Sequence, residues 1–343
     1  MTAVVPDART ASGLATGVAA LLGRRLPPGT PVSVSSPERA FGGNARQAWT
    51  CTASWQDQGG RHDEELILLV RGAGSQVRTD PEQESAALRG LAEAGVRAPR
   101  IWGDDPGGEL FGGAAVLLER LPGRTDAVEY LRADPDTGRA RTLDLARALA
   151  ELHAAPVPAP AGDQSRGTWF RLAQFQLEQW REQFEEARRE PYPALSWLFD
   201  WLAGRAPEPA RPVLVHGDFR PGNVLFAGDR ITGILDWEMA HPGDPGEDIA
   251  WAYRALWSPG RFVALDEFTA AYEAAGGARV PADALRWHRV FAEVKFAVIS
   301  LRASRSFADG SSGNLRLIDR ARTVIPAVRR GLAWVAEAEG TAE

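Results

Sequence analysis

VLVHGDFRPGNVLFAGDRITGILDWEMAHPGDPGEDI, residues Val213 to Ile249, is the stretch whose reading decides the fold. It opens on the apolar run Val213-Leu214-Val215, the pattern of a short buried strand. The polar segment His216 to Asn223 follows, and its Gly217, Pro221 and Gly222 keep it out of helix and strand, so it reads as a loop. Val224-Leu225-Phe226, Gly228-Asp229 and Ile231 to Leu235 then read as strand, tight turn, strand. Folding that ribbon on a two-residue turn sets Phe226 opposite Ile231 and brings Asn223 back towards Asp236. Two oxygen ligands therefore converge at one end of a small hairpin, with Asp218 a few residues upstream. Hard cations such as Mg²⁺ take this donor type, with waters and phosphates completing the octahedron.

In residue type and order, HGDxxxxN (from His216), LDWE (from Leu235) and GDPxxD (from Gly243) resemble the aminoglycoside phosphotransferase family, a small-molecule branch of the protein-kinase-like fold. Supporting segments run from about Ser36 to about Trp257. The resemblance implies an α+β, two-lobed protein-kinase-like fold. Its small N-lobe, residues 1–121, would hold the nucleotide on an antiparallel sheet with one main helix. A larger, mostly helical C-lobe, residues 122–343, would carry the catalytic loop and the acceptor site. Asp218 would be the catalytic base that orients and deprotonates a substrate hydroxyl, and Asn223 and Asp236 would hold Mg²⁺ on the nucleotide phosphates. Arg220 stands two places after the base, where many kinases keep a lysine near the transferring phosphate. His216 would be a scaffold residue of the loop. Taken singly, each of these residues also suits a polar, turn-rich loop. The ordered set favours the chemistry.

A length of 343 residues suits one large domain or two lobes. Hydrophobic content of 44% and charged content of 24% are those of an ordinary water-soluble chain. A net charge of −6 gives no support to nucleic-acid binding. One cysteine, Cys51, excludes an internal disulfide and suits a reducing cytoplasm. Without a signal-like start or an apolar run of spanning length, a cytoplasmic protein with no membrane association is expected.

In the first lobe Leu14 to Leu26 reads as a helix with Leu14, Val18, Leu21 and Leu22 on one face. Gly42, Gly43 and Asn44 precede the strand Ala48–Ala53. Such a Gly pair lets backbone N–H groups approach nucleotide phosphates, or simply makes a tight turn; the family resemblance favours the first. Leu66 to Val70 reads as a buried strand ending in Arg71. Asp80-Pro81 opens a helix whose inward face carries Glu84, Ala87, Leu88 and Leu91. A carboxylate on that face needs a cation, and Arg71 is the expected partner. The pair resembles the strand Lys and helix Glu of kinases, with Arg for Lys; an exposed surface pair is the alternative. Ala114 to Gly123 reads as a strand running into a turn. By resemblance it is the edge strand and hinge, with backbone near Glu119 and Leu121 bonding the purine of ATP or GTP.

In the second lobe Thr142–His153 and about Arg171–Arg188 read as helices, the latter charged and either a solvated face or part of an acceptor site. The tryptophans around it, with Trp169 and Phe170, suit core packing. Asp244 reads as a cap before Pro245, and Asp248 as a brace of the catalytic loop. Phe262–Ala275, Ala282–Leu301 and Leu315–Ala338 read as helices, with Ala303–Asn314 a loop. The implied activity is transfer of the ATP or GTP γ-phosphoryl to a small-molecule hydroxyl. HGDFRPGN, LDWEMAHPGDP and QFQLEQWREQFEEARREPYPAL resemble the branch related to acyl-CoA dehydrogenase-linked kinase domains, which implies a hydroxyacyl-CoA-type acceptor. An aminoglycoside or macrolide kinase is the alternative, and a nucleotide-binding pseudokinase the alternative of another class.

Overall fold

Residues 46–71 fold into one long hairpin, and its alternation explains the first part of the molecule. A computed structural model describes residues 10–40, 46–71, 81–157, 171–208 and 211–340, and the chain divides into two compact units, Met1–Pro122 and Gly123–Glu343. In unit 1, β3 (Arg46–Asp57) and β4 (Gly60–Arg71) pair antiparallel through their whole length, Arg46 opposite Arg71 and Asp57 opposite Gly60. The outer halves, rich in Ser, Gln, His and Glu, do not read as strand on hydrophobicity. Pairing completes them, because every backbone N–H and C=O that a partner satisfies avoids the cost of an unmet hydrogen bond.

Leu66, Leu68 and Val70 of β4 are buried while Ile67 and Leu69 are half-buried, the period-2 signature of a strand with a better-covered face. α1 (Ala11–Gly23) covers that face. Thr10 caps it by accepting the Gly13 N–H at 3.1 Å, and Leu14, Val18, Leu21 and Leu22 join Leu66, Leu68, Trp55 and Leu117 in one core. Each such side chain contributes roughly 1.5–3 kcal/mol by leaving water. β1 (Val32–Val34) and β2 (Glu38–Ala40) pair with β3, and β5 (Ile101–Asp105) and β6 (Ala115–Glu119) complete the antiparallel sheet in the order β1-β3-β4-β6-β5. β6 is therefore an internal strand flanked by β4 and β5, not the expected edge. α2 (Pro81–Glu93) follows β4, with Glu84, Ala87, Leu88 and Leu91 buried as its sequence period requires.

Unit 2 is mostly helical: α3 (Ala127–Arg132), α4 (Pro135–Ala154), α5 (Leu172–Ala187), α6 (Pro193–Ala203), α7 (Gly246–Ala252), α8 (Leu265–Ala274), α9 (Ala282–Ala308) and α10 (Val324–Ala338). α4 begins seven residues before the expected Thr142 because Asp134 accepts the Thr137 N–H at 3.0 Å and Pro135 occupies the first turn. α9 runs on through Ala308, into residues read as loop, and the expected last helix is a 3-10 segment (Leu315–Thr323) followed by α10. α9 packs against α5, α6, α7 and α10, and its stretch from Val290 to Val298 is buried all round. No helix among the described residues is long and apolar enough to cross a membrane.

Two small ribbons sit beside these helices. β7 (Val213–Val215) pairs antiparallel with β10 (His241–Gly243), and β8 (Val224–Ala227) with β9 (Arg230–Ile234). Gly228, at φ 59°, takes the first place of the two-residue turn, where a type II′ turn wants glycine. Phe226 faces Ile231 as expected. The register then slips by one, so that Leu225 faces Gly233 and Val224 faces Ile234. The bulge carries Asn223 one residue further along the partner strand, and the Leu235 N–H bonds to the Asn223 carbonyl at 2.8 Å.

Candidate active site

The loop between β7 and β8 is built around the carboxylate of Asp218. Its Oδ1 accepts the Trp251 indole N–H at 2.6 Å and the Arg220 Nε–H at 3.0 Å, and its Oδ2 accepts the Asn223 amide at 2.6 Å. The same Asn223 Nδ2 donates to the Asp218 carbonyl at 2.9 Å. Both partners of that nitrogen are acceptors, which fixes the amide orientation and leaves Asn223 Oδ1 as the remaining acceptor. The Asp218 side chain keeps 16% of its surface exposed, enough to meet a small partner. Arg220 also lies over the Trp257 ring, 5.2 Å from its centroid. Gly222 gives its guanidinium room, since a Cβ there would collide with Nη1.

Three groups behind the loop set its shape. Asp248, fully buried, accepts the backbone N–H of His216 at 2.7 Å and of Gly217 at 2.9 Å, and the His153 Nε2–H at 3.1 Å. Burial alone would raise its carboxyl pKa; the bonds from His153 and His216 outweigh it and hold it below the ordinary range. His153 in turn accepts the Tyr272 hydroxyl on Nδ1 at 2.8 Å. The His216 ring donates from Nε2 to the Leu235 carbonyl at 2.9 Å and accepts the Asp218 N–H on Nδ1 at 3.1 Å, the neutral tautomer. Burial pushes its pKa down, consistent with a neutral scaffold residue. Gly217 must be glycine twice over: its φ is +81°, and a Cβ would lie 2.5 Å from the Met239 carbonyl.

Asp236 stands two residues past the end of β9, exposed, at φ 67° and ψ 65°, and among the described residues it is the one non-glycine with positive φ. Asp tolerates this left-handed geometry better than most residues, but holding it costs about 1–3 kcal/mol, a burden that clusters at functional sites. Asn223 Oδ1 and the Asp236 carboxylate are hard oxygen donors, so the residues present fit Mg²⁺. Among the described residues no cluster of three or more His, Cys, Asp or Glu could hold a metal ion by itself.

In unit 1 the structure also corrects the expected ion pair. Glu84 pairs with Arg46, not Arg71: Nη1 and Nη2 of Arg46 grip Oε1 and Oε2 at 2.7 and 2.8 Å, both side chains nearly buried. The β3–β4 register places Arg46 opposite Arg71, and Arg46, Arg71, Glu84 and Leu69 line one small pocket. The period-2 pattern of β3 passes over Arg46, because it precedes the apolar part of the strand. Glu119 ends β6 and gives its N–H to the Arg100 carbonyl at 2.8 Å, and Leu121 lies just past that strand. Gly42, Gly43, Asn44, Asp80, Trp169 and Phe170 lie outside the described residues. Sequence reasoning placed Trp251 on the Asp248 helix without a role. Their i,i+3 spacing, which puts both on one face, was the available signal.

Residues 55–290, more than half of the chain, match the model of the APH phosphotransferase enzyme family. Acyl-CoA dehydrogenase family member 10 of Mus musculus is 28% identical over 211 residues, covering 60% of this chain and 20% of that protein, so the chain spans about a fifth of this relative's length. Among solved structures, a Ralstonia eutropha protein assigned as an aminoglycoside phosphotransferase superposes with a TM-score of 0.69 at 19% identity, covering 94% of this chain and 98% of that one. A thermostable mutant of aminoglycoside phosphotransferase APH(4)-Ia, in ternary complex with AMP-PNP and hygromycin B, superposes with a TM-score of 0.54 at 20% identity, covering 95% and 100%. At these identities the structural likenesses speak for the fold, which is the kinase-like α+β fold. With the matched family model, they place this chain in the APH phosphotransferase enzyme family.

Proposed function

We propose that the protein transfers the γ-phosphoryl group of ATP or GTP to a hydroxyl of a small molecule, with Asp218 as the base. One observation carries the reading. A carboxylate offers about four lone-pair positions, and Trp251 and Arg220 fill two on Oδ1 while Asn223 fills one on Oδ2. The vacant position is on Oδ2, of a group partly open to solvent, where an acceptor hydroxyl is oriented and gives up its proton. Arg220, engaged through Nε, has its Nη groups for the transferring phosphate. Asn223 Oδ1 and Asp236 would hold Mg²⁺, which would supply charge neutralisation on the phosphates. In unit 1, Arg71, the Arg46–Glu84 pair and the Glu119 carbonyl to Leu121 backbone are assigned to the nucleotide, together with Gly42, Gly43 and Asn44. Phosphoryl transfer leaves the protein little covalent work, so placement and electrostatics supply the rate.

The likeness to the acyl-CoA dehydrogenase family member supports a hydroxyacyl-CoA-type acceptor. Hygromycin B in the APH(4)-Ia complex favours the second reading, an antibiotic kinase. The test is consumption of ATP and of GTP, with and without Mg²⁺, against hydroxyacyl-CoA thioesters, aminoglycosides, macrolides and small amino alcohols. We expect Mg²⁺-dependent turnover with the thioesters and a loss of at least about 100-fold in Asp218→Asn. Turnover with an antibiotic instead selects the second reading. An Asp218→Asn enzyme as active as the parent refutes the base assignment, and nucleotide binding without turnover on any acceptor favours a pseudokinase.

A further inference from the structure

Lys295 is the only lysine in the chain; every other one of the 39 Lys and Arg residues is an arginine. It sits in the middle of α9 with no exposed surface, in a stretch of helix buried all round. A buried Lys–Glu pair is a poor device for stability, because desolvating two charges costs about as much as their attraction returns. Its placement therefore asks for another account.

The contacts of the ammonium supply one. Nζ donates to Glu247 Oε1 at 2.8 Å and to the Gly217 carbonyl at 2.6 Å, and it lies 4.7 Å from the centroid of the Trp251 ring. Gly217 is the residue immediately before Asp218, and Trp251 is the donor on Asp218 Oδ1. The Trp180 ring lies farther off, 5.6 Å from Nζ to its centroid. Two of the three nearer contacts thus lead to the carboxylate in a single step. The third, Glu247, is held from its other side by His241 at 3.2 Å, and His241 bonds the Met239 carbonyl at 2.8 Å. The Gly217 peptide is gripped on both edges, its N–H by Asp248 and its C=O by Lys295. A cation on the face of an indole draws electron density from the ring and makes its N–H a stronger donor. A guanidinium is larger and planar, whereas an ammonium is a compact three-donor charge suited to a carbonyl, a carboxylate and a ring converging on one point.

We propose that Lys295 is a positioning residue for phosphoryl transfer, setting the rotamer and hydrogen bonding of Asp218 through the Gly217 carbonyl and the Trp251 indole. The inference rests on the reading of Asp218 as base. The experiment compares the full chain with Lys295→Met, the charge-balanced Lys295→Met/Glu247→Gln, Trp251→Phe and Asp218→Asn, each checked for an unchanged melting temperature. Indole N–H resonances are followed by ¹⁵N NMR, Trp251→Phe identifying the one that belongs to Trp251. Turnover of Mg·ATP is measured with a hydroxyacyl-CoA thioester. The Trp251 resonance is expected downfield of the other indoles and shifted upfield in the balanced double variant. Turnover should fall by about 100-fold, the scale of a misplaced catalytic group, with the nucleotide KM within about twofold. A folded double variant whose Trp251 resonance does not move overturns the proposal, as does one that changes KM alone. Failure of the underlying reading looks different: Asp218→Asn then shifts the indole resonance and leaves turnover whole.

Discussion

Asp248→Asn exchanges one carboxylate oxygen for an NH₂ and leaves volume and shape almost unchanged, so it isolates the hydrogen bonds that shape the Asp218 loop. In the parent, Oδ2 takes the His216 N–H and the His153 Nε2–H, and Oδ1 takes the Gly217 N–H. The better of the two amide orientations keeps the oxygen facing His216 and His153 and turns the NH₂ against the Gly217 N–H. One buried donor is then unmet, at about 1–3 kcal/mol, and two charge-assisted bonds become neutral, at about 1 kcal/mol each. The sum is about 3–5 kcal/mol, some 100-fold or more in the opening equilibrium of the loop. A chain of two compact units need not unfold in one step, so the readout is local: amide hydrogen exchange at His216 and Gly217, beside the urea midpoint of the whole protein. Protection at both amides should fall by about 100-fold, with the Gly217 amide the more affected. If both stay as protected as in the parent and the midpoint moves by less than about 1 kcal/mol, Asp248 is not what holds the loop.

A double-mutant cycle on Arg46 and Glu84 tests the corrected pairing in unit 1. Glu84→Gln should destabilise by about 3 kcal/mol by removing the charge that a nearly buried guanidinium grips at both oxygens, while Arg46→Met/Glu84→Met costs less than the two single changes together; additive losses in urea denaturation would mean the pair is not coupled. The pH dependence on the acid side follows from three buried groups. Burial holds His216 low, and Asp248 and Glu247 are held low because His153 and His216 for the one, and Lys295 and His241 for the other, outweigh burial. Each folded-state pKa lies below its unfolded value, so this stability is present at neutral pH, begins to drain below about pH 6.5 as His216 meets its unfolded pKa, and drains faster below about pH 4. On the alkaline side burial raises the Cys51 thiol from 9.0 to about 11, so stability declines above about pH 9 as the unfolded thiol ionises first. A melting temperature that rises between pH 7 and pH 5 would contradict these signs.

What could be read from the sequence, and what could not, divides by range. The apolar stripe of α1 was legible because a 3.6 period needs only local residues, and Leu14, Val18, Leu21 and Leu22 are all in the core. The hairpin that returns Asn223 towards Asp236 was legible because Gly228-Asp229 sets the register at a distance of two residues. The bulge at Thr232, which improves that approach, left no mark, since nothing in Ile231-Thr232-Gly233 says which residue will lose its partner. Pairings across the unit were harder. Arg71 was the natural partner of Glu84 on the evidence of one strand end, and only the register of a twelve-residue ladder puts Arg46 opposite Arg71 and within reach of the same carboxylate. Lys295 is the extreme case. It is 77 residues from Asp218 in sequence, its neighbours Glu293 to Val298 read as an undistinguished helix interior, and its partners Gly217, Glu247, Trp251 and Trp180 come from three other elements. A motif records the residues that must be near one another along the chain. The charge that backs the motif answers only to distance in space, so any element passing behind the loop can supply it, and its one local trace is a buried ammonium where a helix would otherwise place a hydrophobe.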